Sequence, residues 1–370
     1  MKVGILTFHR AENFGASLQV YALQQYLKSL HLNAIILDYR CMFMEHHYDI
    51  FNPYILFSRW NFFKTIPIYM NRLSMNKSMR QKHNMFQNFR QEHLKMSGSF
   101  KHIKYDLGYD AYIVGSDQIW RPMLTNGVND IYFLNFPMAK HARCISYAAS
   151  AESTSFPELR KHKKEISIFL NQFNAISVRE KDLQIELSSY TQNPIKICVD
   201  PTFLLSKLSY EKLAIHHKLN NYILVYHLFE THEGSVLADK IAQKERLRIV
   251  EIHSAIRKYH SNNGHIHIDV FGPQEMLGWI IDAKIIITTS FHGLVLSLIL
   301  QKNVWIVDEG QNNRLSNLLK MVHLERRMIS DSSGYHEDDF IDYLKVNDLL
   351  QQQINYSKNF LKVALNINGK

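Results

Sequence analysis

A chain of 370 residues with 46% hydrophobic and 21% charged residues is about twice the usual size of one domain and too apolar for disorder. No run approaches the roughly 18–20 uninterrupted apolar residues of a membrane-spanning helix, and MKVGILTFHR leads straight into a strand, so a cytoplasmic two-domain protein is expected. Cys41, Cys144 and Cys198 are odd in number and far apart, which excludes a disulfide framework or zinc knuckle and reads as buried thiols, while a net charge of +9 points to an anionic partner.

Lys2–Phe8 is a short apolar strand, Ser17–Leu30 carries apolar residues at helical spacing, and Asn33–Tyr39 is a second strand, with the polar loop HRAENFG after the first. A βαβ start of this kind argues for a parallel sheet with right-handed crossovers. Residues 45–104 interrupt it. Arg59, Arg72, Lys77, Arg80 and Lys82 begin a basic patch that Arg90, Lys95 and Lys101 continue, with Glu92 as almost the only compensation. Phe51, Phe57, Trp60, Phe62 and Tyr69 add aromatic bulk, a mixture suited to a lipid surface. A helical insertion packed on the core with a solvated basic face is the alternative. No helix-turn-helix, RRM or zinc-finger pattern accompanies the charge, so nucleic acid is not an expected partner.

The sheet resumes with strands at Tyr109–Val114, Arg143–Ala148, Ala175–Val178 and Ile195–Val199, and Asp200-Pro201-Thr202 reads as a boundary. A second α/β unit follows, with strands at Tyr222–His227, Leu247–Ile252, Ile285–Thr289 and Val304–Val307. Its helices fall at Gly234–Lys244 and Pro273–Ala283, and Arg314–Val322 and Asp338–Leu361 read as terminal helices. The expectation is two doubly wound α/β domains facing a cleft, at 1–205 (with the insertion at 45–104) and 206–335, and a helical segment at 336–370. No internal repeat or low-complexity tract is visible.

In open α/β sheets ligands sit beyond the carboxyl ends of the strands, which singles out His9–Gly15, Gly115–Gln118, Ser177–Glu180 and Thr288–Gly293. The last lies in IIITTSFHGLVLSLIL, which places His292 at a helix N-terminus, beside unpaired backbone N–H groups that favour an anion. Ser290 as a mere cap and His292 as a core histidine is the bland alternative. In Gly115-Ser116-Asp117-Gln118 a small residue admits a ligand to the backbone and Asp117 offers a carboxylate, although a strand-end turn has the same composition. The forked donors of Arg179 suit a carboxylate or phosphate, with a pair to Glu180 or Asp182 as the plain alternative, and Arg314 is a similar candidate. No metal-ligand cluster is apparent, and no metal is expected.

NFGASLQVYALQ, GSDQIW, SVRE, VDPTFLL, GPQEML and TTSFHGLVLSLI, in this order and spacing, resemble the polysaccharide pyruvyl transferase family from Met1 to about Met328. The resemblance implies a GT-B-like fold of two Rossmann-like domains. It also implies phosphoenolpyruvate as donor of a pyruvyl ketal to a sugar of a capsule, exopolysaccharide or wall polymer, with no cofactor. The family's histidine falls on His292 and its mid-chain arginine on Arg179. The chain departs in two places. Family members resemble Arg-Leu-His where Ser290-Phe291-His292 stands, which leaves Arg314 or a residue of the insertion to replace a donor-holding cation. Some resemble Gly-Asn-x-Gly-Asp where this chain has Glu12-Asn13-Phe14-Gly15-Ala16.

His292 is then the candidate general acid, since an imidazole of ordinary pKa, roughly 6.5, donates at neutral pH. Asp117 is the candidate base for a sugar hydroxyl. Arg179, Arg314 and the helix start at Ser290, Phe291 and Gly293 would hold the donor. Gly115, Ser116 and Gln118, with Asn13 and Gly15 of the same domain, are the remaining expected contacts. A polyprenyl-diphosphate-linked acceptor would give residues 51–104 a purpose at the inner leaflet, with the protein peripheral there. Two alternatives keep the fold or drop the chemistry: a glycosyltransferase using a nucleotide sugar, with Glu275 or Asp308 near the ribose, and a non-catalytic scaffold of a capsule assembly complex docking through the basic patch.

Overall fold

The structure, a computed structural model, describes residues 1–48, 75–228, 232–308, 313–336 and 338–367. Strands β1 (Lys2–Leu6), β2 (Asn33–Ile36), β3 (Ala111–Val114), β4 (Arg143–Ala149), β5 (Ala175–Val178) and β6 (Ile195–Ile197) pair in parallel, in the order β2-β1-β3-β4-β5-β6. A second parallel sheet contains β7 (Ile223–His227), β8 (Ile249–His253), β9 (Ile266–Ile268), β10 (Ile285–Thr288), β11 (Asn303–Val307) and β12 (Met328–Ile329), in the order β12-β11-β10-β7-β8-β9. AYIV, ILVYH and IIIT are buried along their whole length, as parallel strands covered on both faces require. Read from β9, the second sheet has its own strands in the order three, two, one, four, five, six, the Rossmann order. Strand order reverses between β1 and β3 in the first sheet and between β7 and β10 in the second, so ligand sites are expected at the carboxyl ends of those strands.

The helix Phe14–Ser29 lies in a core shared by both halves: Val3, Ile5, Phe14 and Leu18 cluster with Tyr226, Leu294 and Val295. Phe14 meets Tyr226 edge to face, ring centroids 5.3 Å apart. The terminal helix Tyr343–Ala364 starts on the second half, where Asp342 caps it and the Tyr343 hydroxyl donates to Lys302 O. It ends on the first half, where Val199 N donates to Ser357 Oγ at 3.0 Å and Arg143 Nε to Ala364 O. A segment expected to follow the second domain therefore straps the two together.

Part of the insertion is a helix, Asn76–His93, which buries Phe86 and Phe89. Lys82 and Arg90 share that face and are buried, with Lys82 Nζ donating to Ser254 O at 2.7 Å and standing 4.7 Å from the Phe271 ring centroid. These two cations are thereby removed from the expected surface patch, because the helix needs that face for its core. Lys77, Arg80, Lys95 and Lys101 remain exposed. Arg59, Arg72 and the aromatic run Phe51–Tyr69 lie outside the described residues. The three cysteines are free and buried, and burial pushes the Cys144 and Cys198 thiols up to about 11. No helix among the described residues is long and apolar enough to cross a membrane.

Candidate active site

Two helix N-termini, one from each switch point, face each other. On the second half, Thr288 Oγ1 donates to Tyr226 O at 2.7 Å and accepts from Ser290 N at 3.0 Å, and Ser290 Oγ caps the helix Phe291–Ile299 by accepting from Gly293 N at 3.2 Å. Gly293 is needed there, because a Cβ would stand 2.7 Å from Thr288 Oγ1. On the first half, Asn13 Oδ1 caps the helix Phe14–Ser29 through Gly15 N (2.9 Å) and Ala16 N (3.2 Å). The His292 ring lies directly on Gly15, where a Cβ would come within 2.1 Å of its Nδ1. A bare peptide backbone at residue 15 is thus the seat of the imidazole.

On the ring's other side is a residue that sequence reasoning treated as a domain boundary. His292 Nε2 is buried, has no hydrogen-bond partner and stands 3.5 Å from Asp200 Oδ2. Asp200 Oδ1 accepts from Thr202 N (3.0 Å) and Thr202 Oγ1 (2.8 Å), while Oδ2 accepts from Arg179 NH1 (2.8 Å) and lies 3.4 Å from Ser116 Oγ. Burial alone would raise this carboxyl, yet His292, Arg179 and the Thr202 amide together hold it well below the usual carboxylate range. Asp200 is therefore an anion at the centre of the site, and its position just past β6, inside VDPTFLL, was the available signal.

Arg179 is engaged with carboxylates of the protein itself. Nε donates to Glu180 Oε1 (2.8 Å), NH1 to Asp200 and NH2 to Ser150 Oγ (3.0 Å), and the Phe291 ring centroid lies 4.3 Å from Cζ. Burial would lower this guanidinium, but Glu180 and Asp200 hold it above its ordinary range. The Glu180 pairing realises one of the two plain alternatives; Asp182 instead accepts from Asn313. Beyond Phe291 opens a cavity of about 310 Å³, lined among others by Arg179, Glu180, Lys181, Arg314 and Asn317. Glu180 Oε2 and Asn317 Nδ2 are buried there without hydrogen-bond partners. Burial and the charge of Arg179 pull Arg314 below its ordinary range, opposed by Glu180, Glu152 and Asp117. Lys181 and Asn317 had no sequence signal beyond standing near a strand end and a helix start.

The loop after β3 contributes at its margin. Gly115 (φ +110°) approaches Tyr147 O so closely that a Cβ would sit 2.3 Å from it, and the buried Ser116 Oγ donates to Ala148 O at 2.7 Å. Asp117 is half-buried in the left-handed region (φ +69°), and its Oδ1 accepts from Gln118 N at 2.9 Å. Its charge acts on both Arg179 and Arg314. Gln118 turns to Arg121, accepting at 2.9 Å. His9 is a satisfied core residue, bound to Asp38 Oδ1 (2.9 Å) and Thr7 O (3.1 Å). Glu275 caps its own helix by accepting from Gly272 N at 3.0 Å, and Asp308 stands at the end of β11. Elsewhere the fold gathers His253, His260 and His267, a grouping where no metal-ligand cluster was expected, because HSAIRKYHSNNGHIH carries none of the usual spacings.

Among solved structures, the chain is similar to the UDP-bound MnaA of S. aureus, with a TM-score of 0.51 and 10% identity over 100% of this chain and 98% of that one. A UDP-N-acetylglucosamine 2-epimerase gives 0.51 and 9% over 100% and 97%. At such identities the likeness concerns the fold, two Rossmann-like domains in the GT-B arrangement. No curated protein matches the sequence. The sequence model of the family described as polysaccharide pyruvyl transferase matches residues 13–311, which run from the Asn13 cap through Asp200 to His292 and beyond. The chain therefore belongs to the polysaccharide pyruvyl transferase family.

Proposed function

We propose that this protein transfers the pyruvyl group of phosphoenolpyruvate to a pair of hydroxyls on a sugar, as a ketal, during assembly of a capsule or other cell-surface polysaccharide. The observation that carries this reading is the His292 Nε2 atom, buried and unpartnered 3.5 Å from an ionised Asp200, in a member of this family. His292 is the proton donor of this reading, placed beside the buried Asp200 carboxylate. It delivers its proton to the methylene carbon of the donor, and the positive charge that develops on the adjacent carbon is captured by the first hydroxyl. Phosphate then leaves and the second hydroxyl closes the ketal. Of the two hydroxyl protons released, one restores His292 and the other leaves with phosphate, so the reaction is balanced without a cofactor.

Asp117, half-buried at the cleft margin, serves as base for the first hydroxyl and passes that proton to the departing phosphate, while the proton of the second hydroxyl restores His292. Arg179 is committed to Asp200 and Glu180 and acts by positioning the anion that His292 needs. Arg314 and Lys181 line the adjacent cavity and supply the positive charge for the donor's carboxylate and phosphate, in place of the arginine that Ser290 displaces. The acceptor is a sugar on a polyprenyl diphosphate, and exposed Lys77, Arg80, Lys95 and Lys101 hold the protein peripherally at the cytoplasmic face of an anionic membrane.

The test is acceptor-dependent release of phosphate from phosphoenolpyruvate. His292→Ala should lower turnover by about 10²–10⁴-fold, the usual worth of a general acid, in a variant that still unfolds cooperatively. Wild-type turnover in that variant would remove His292 from the reaction.

A further inference from the structure

Strand alternation builds a second polar site two strands away from His292. In IVEIH of β8, Glu251 and His253 project to the same face of the sheet, and β9 pairs with β8 so that His267 stands opposite Glu251. His265, two residues before His267, shares that face, and the intervening loop returns His260 over it. One nitrogen from each of His253, His260 and His267 lies within 4.8 Å of the others, and His253 Nε2 is already 3.0 Å from His267 Nδ1. The three rings are close to parallel, with centroids 4.5–5.2 Å apart. Carboxylates surround them: Glu251 lies 3.2 Å from His267 Nδ1 and 3.1 Å from His265 Nδ1, and Asp269 Oδ2 lies 3.1 Å from His260 Nε2. Asp269 Oδ1 is buried without a hydrogen-bond partner.

We propose that His253, His260 and His267 bind a divalent transition cation of the zinc class, which ties the loop between β8 and β9 to the carboxyl edge of the second sheet. Neutral imidazoles select such an ion over magnesium or calcium, which take oxygen ligands. Zinc–nitrogen bonds of about 2.0–2.1 Å at tetrahedral angles set the ligating nitrogens roughly 3.3 Å apart, so the widest pair has to close by at most about 1.5 Å. Carboxylates bonded to the outer nitrogens of ligating histidines fix ring orientation and raise ligand basicity, the role open to Asp269 at His260, while the outer nitrogen of His267, Nε2, is held by Asn263 Oδ1 at 3.0 Å. The cation would also brace the contact between the halves, since Lys82 of the insertion helix donates to Ser254 O, one residue past His253. This inference does not depend on the transfer reaction.

The test is calorimetric titration of the chelator-treated full-length protein with Zn²⁺. One equivalent should bind, and saturating Zn²⁺ should raise the melting temperature, as any ligand specific for the folded state does. His260→Gln alters an exposed loop residue, and the variant should fold as the wild type does while binding Zn²⁺ at least tenfold more weakly. His292→Ala should bind it normally. No binding by the wild type, or equal affinity in His260→Gln, would overturn the proposal, and both readings are independent of activity.

Discussion

Gly15→Ala isolates the seat of His292 from its chemistry. The added Cβ would fall 2.1 Å from Nδ1 and 2.3 Å from Cγ of the ring, where ordinary contact begins near 3.4 Å, a shortfall of about 1.3 Å. Gly15 lies in the first turn of a helix and has no positive φ, so alanine is conformationally acceptable and the clash is the whole effect. The ring has to give way, since the other side of the contact is helix backbone. Misplacing a catalytic group by about 1 Å costs on the order of 10²-fold in rate, and overpacking a dense site costs about 1–3 kcal/mol in stability. The expected result is a kcat reduced roughly 10²-fold, a smaller change in KM for phosphoenolpyruvate and a modest fall in melting temperature. Wild-type kcat in Gly15→Ala would refute the claim that this contact positions His292.

Two further predictions concern charge. The depressed pKa of Asp200 stabilises the fold above the ordinary carboxylate pKa of about 3.9, and this contribution is lost as pH falls through the lower value in the folded state. Acid titration of the wild type should therefore show stability declining below pH ~4, a component that Asp200→Asn lacks. That variant should also be less stable at neutral pH by about 3–5 kcal/mol, because Arg179 loses a buried partner; equal stability and identical acid profiles by denaturant unfolding would contradict the assignment. At the surface, Lys77→Glu with Arg80→Glu should weaken binding to vesicles containing anionic lipid by roughly 30-fold or more at moderate salt, from about 1 kcal/mol per basic residue. Unchanged binding, or none by the wild type, would eliminate membrane attachment through this helix.

Much of the fold is legible because parallel strands buried on both faces leave continuous apolar runs, and IIIT and ILVYH are unmistakable. β9 and β12 were missed since IHI is three residues long with a histidine at its centre and MI is two residues long; both are strands because a neighbour pairs with them. His292 stood out because a capping serine, a histidine and a glycine open an apolar helix after a strand, all local features. Asp200 did not stand out, because its partners Ser116, Arg179 and His292 come from three distant strand ends and only the closed fold brings them to one carboxylate. The same holds for Gly15, whose need for hydrogen in place of a side chain is created by a residue on the other half of the chain. Lys82 and Arg90 read as surface charge by composition, yet Lys82, Phe86, Phe89 and Arg90 fall on one helical stripe, a spacing that marks the buried face.

The most direct test of the central claim is the melting temperature of the purified protein with millimolar phosphoenolpyruvate, UDP or GDP, in the wild type and in Arg314→Met. A rise with phosphoenolpyruvate alone, lost in Arg314→Met, is expected, since a ligand that binds only the folded state stabilises it. A rise with a nucleotide and none with phosphoenolpyruvate would contradict the donor assignment and move the reaction to glycosyl transfer.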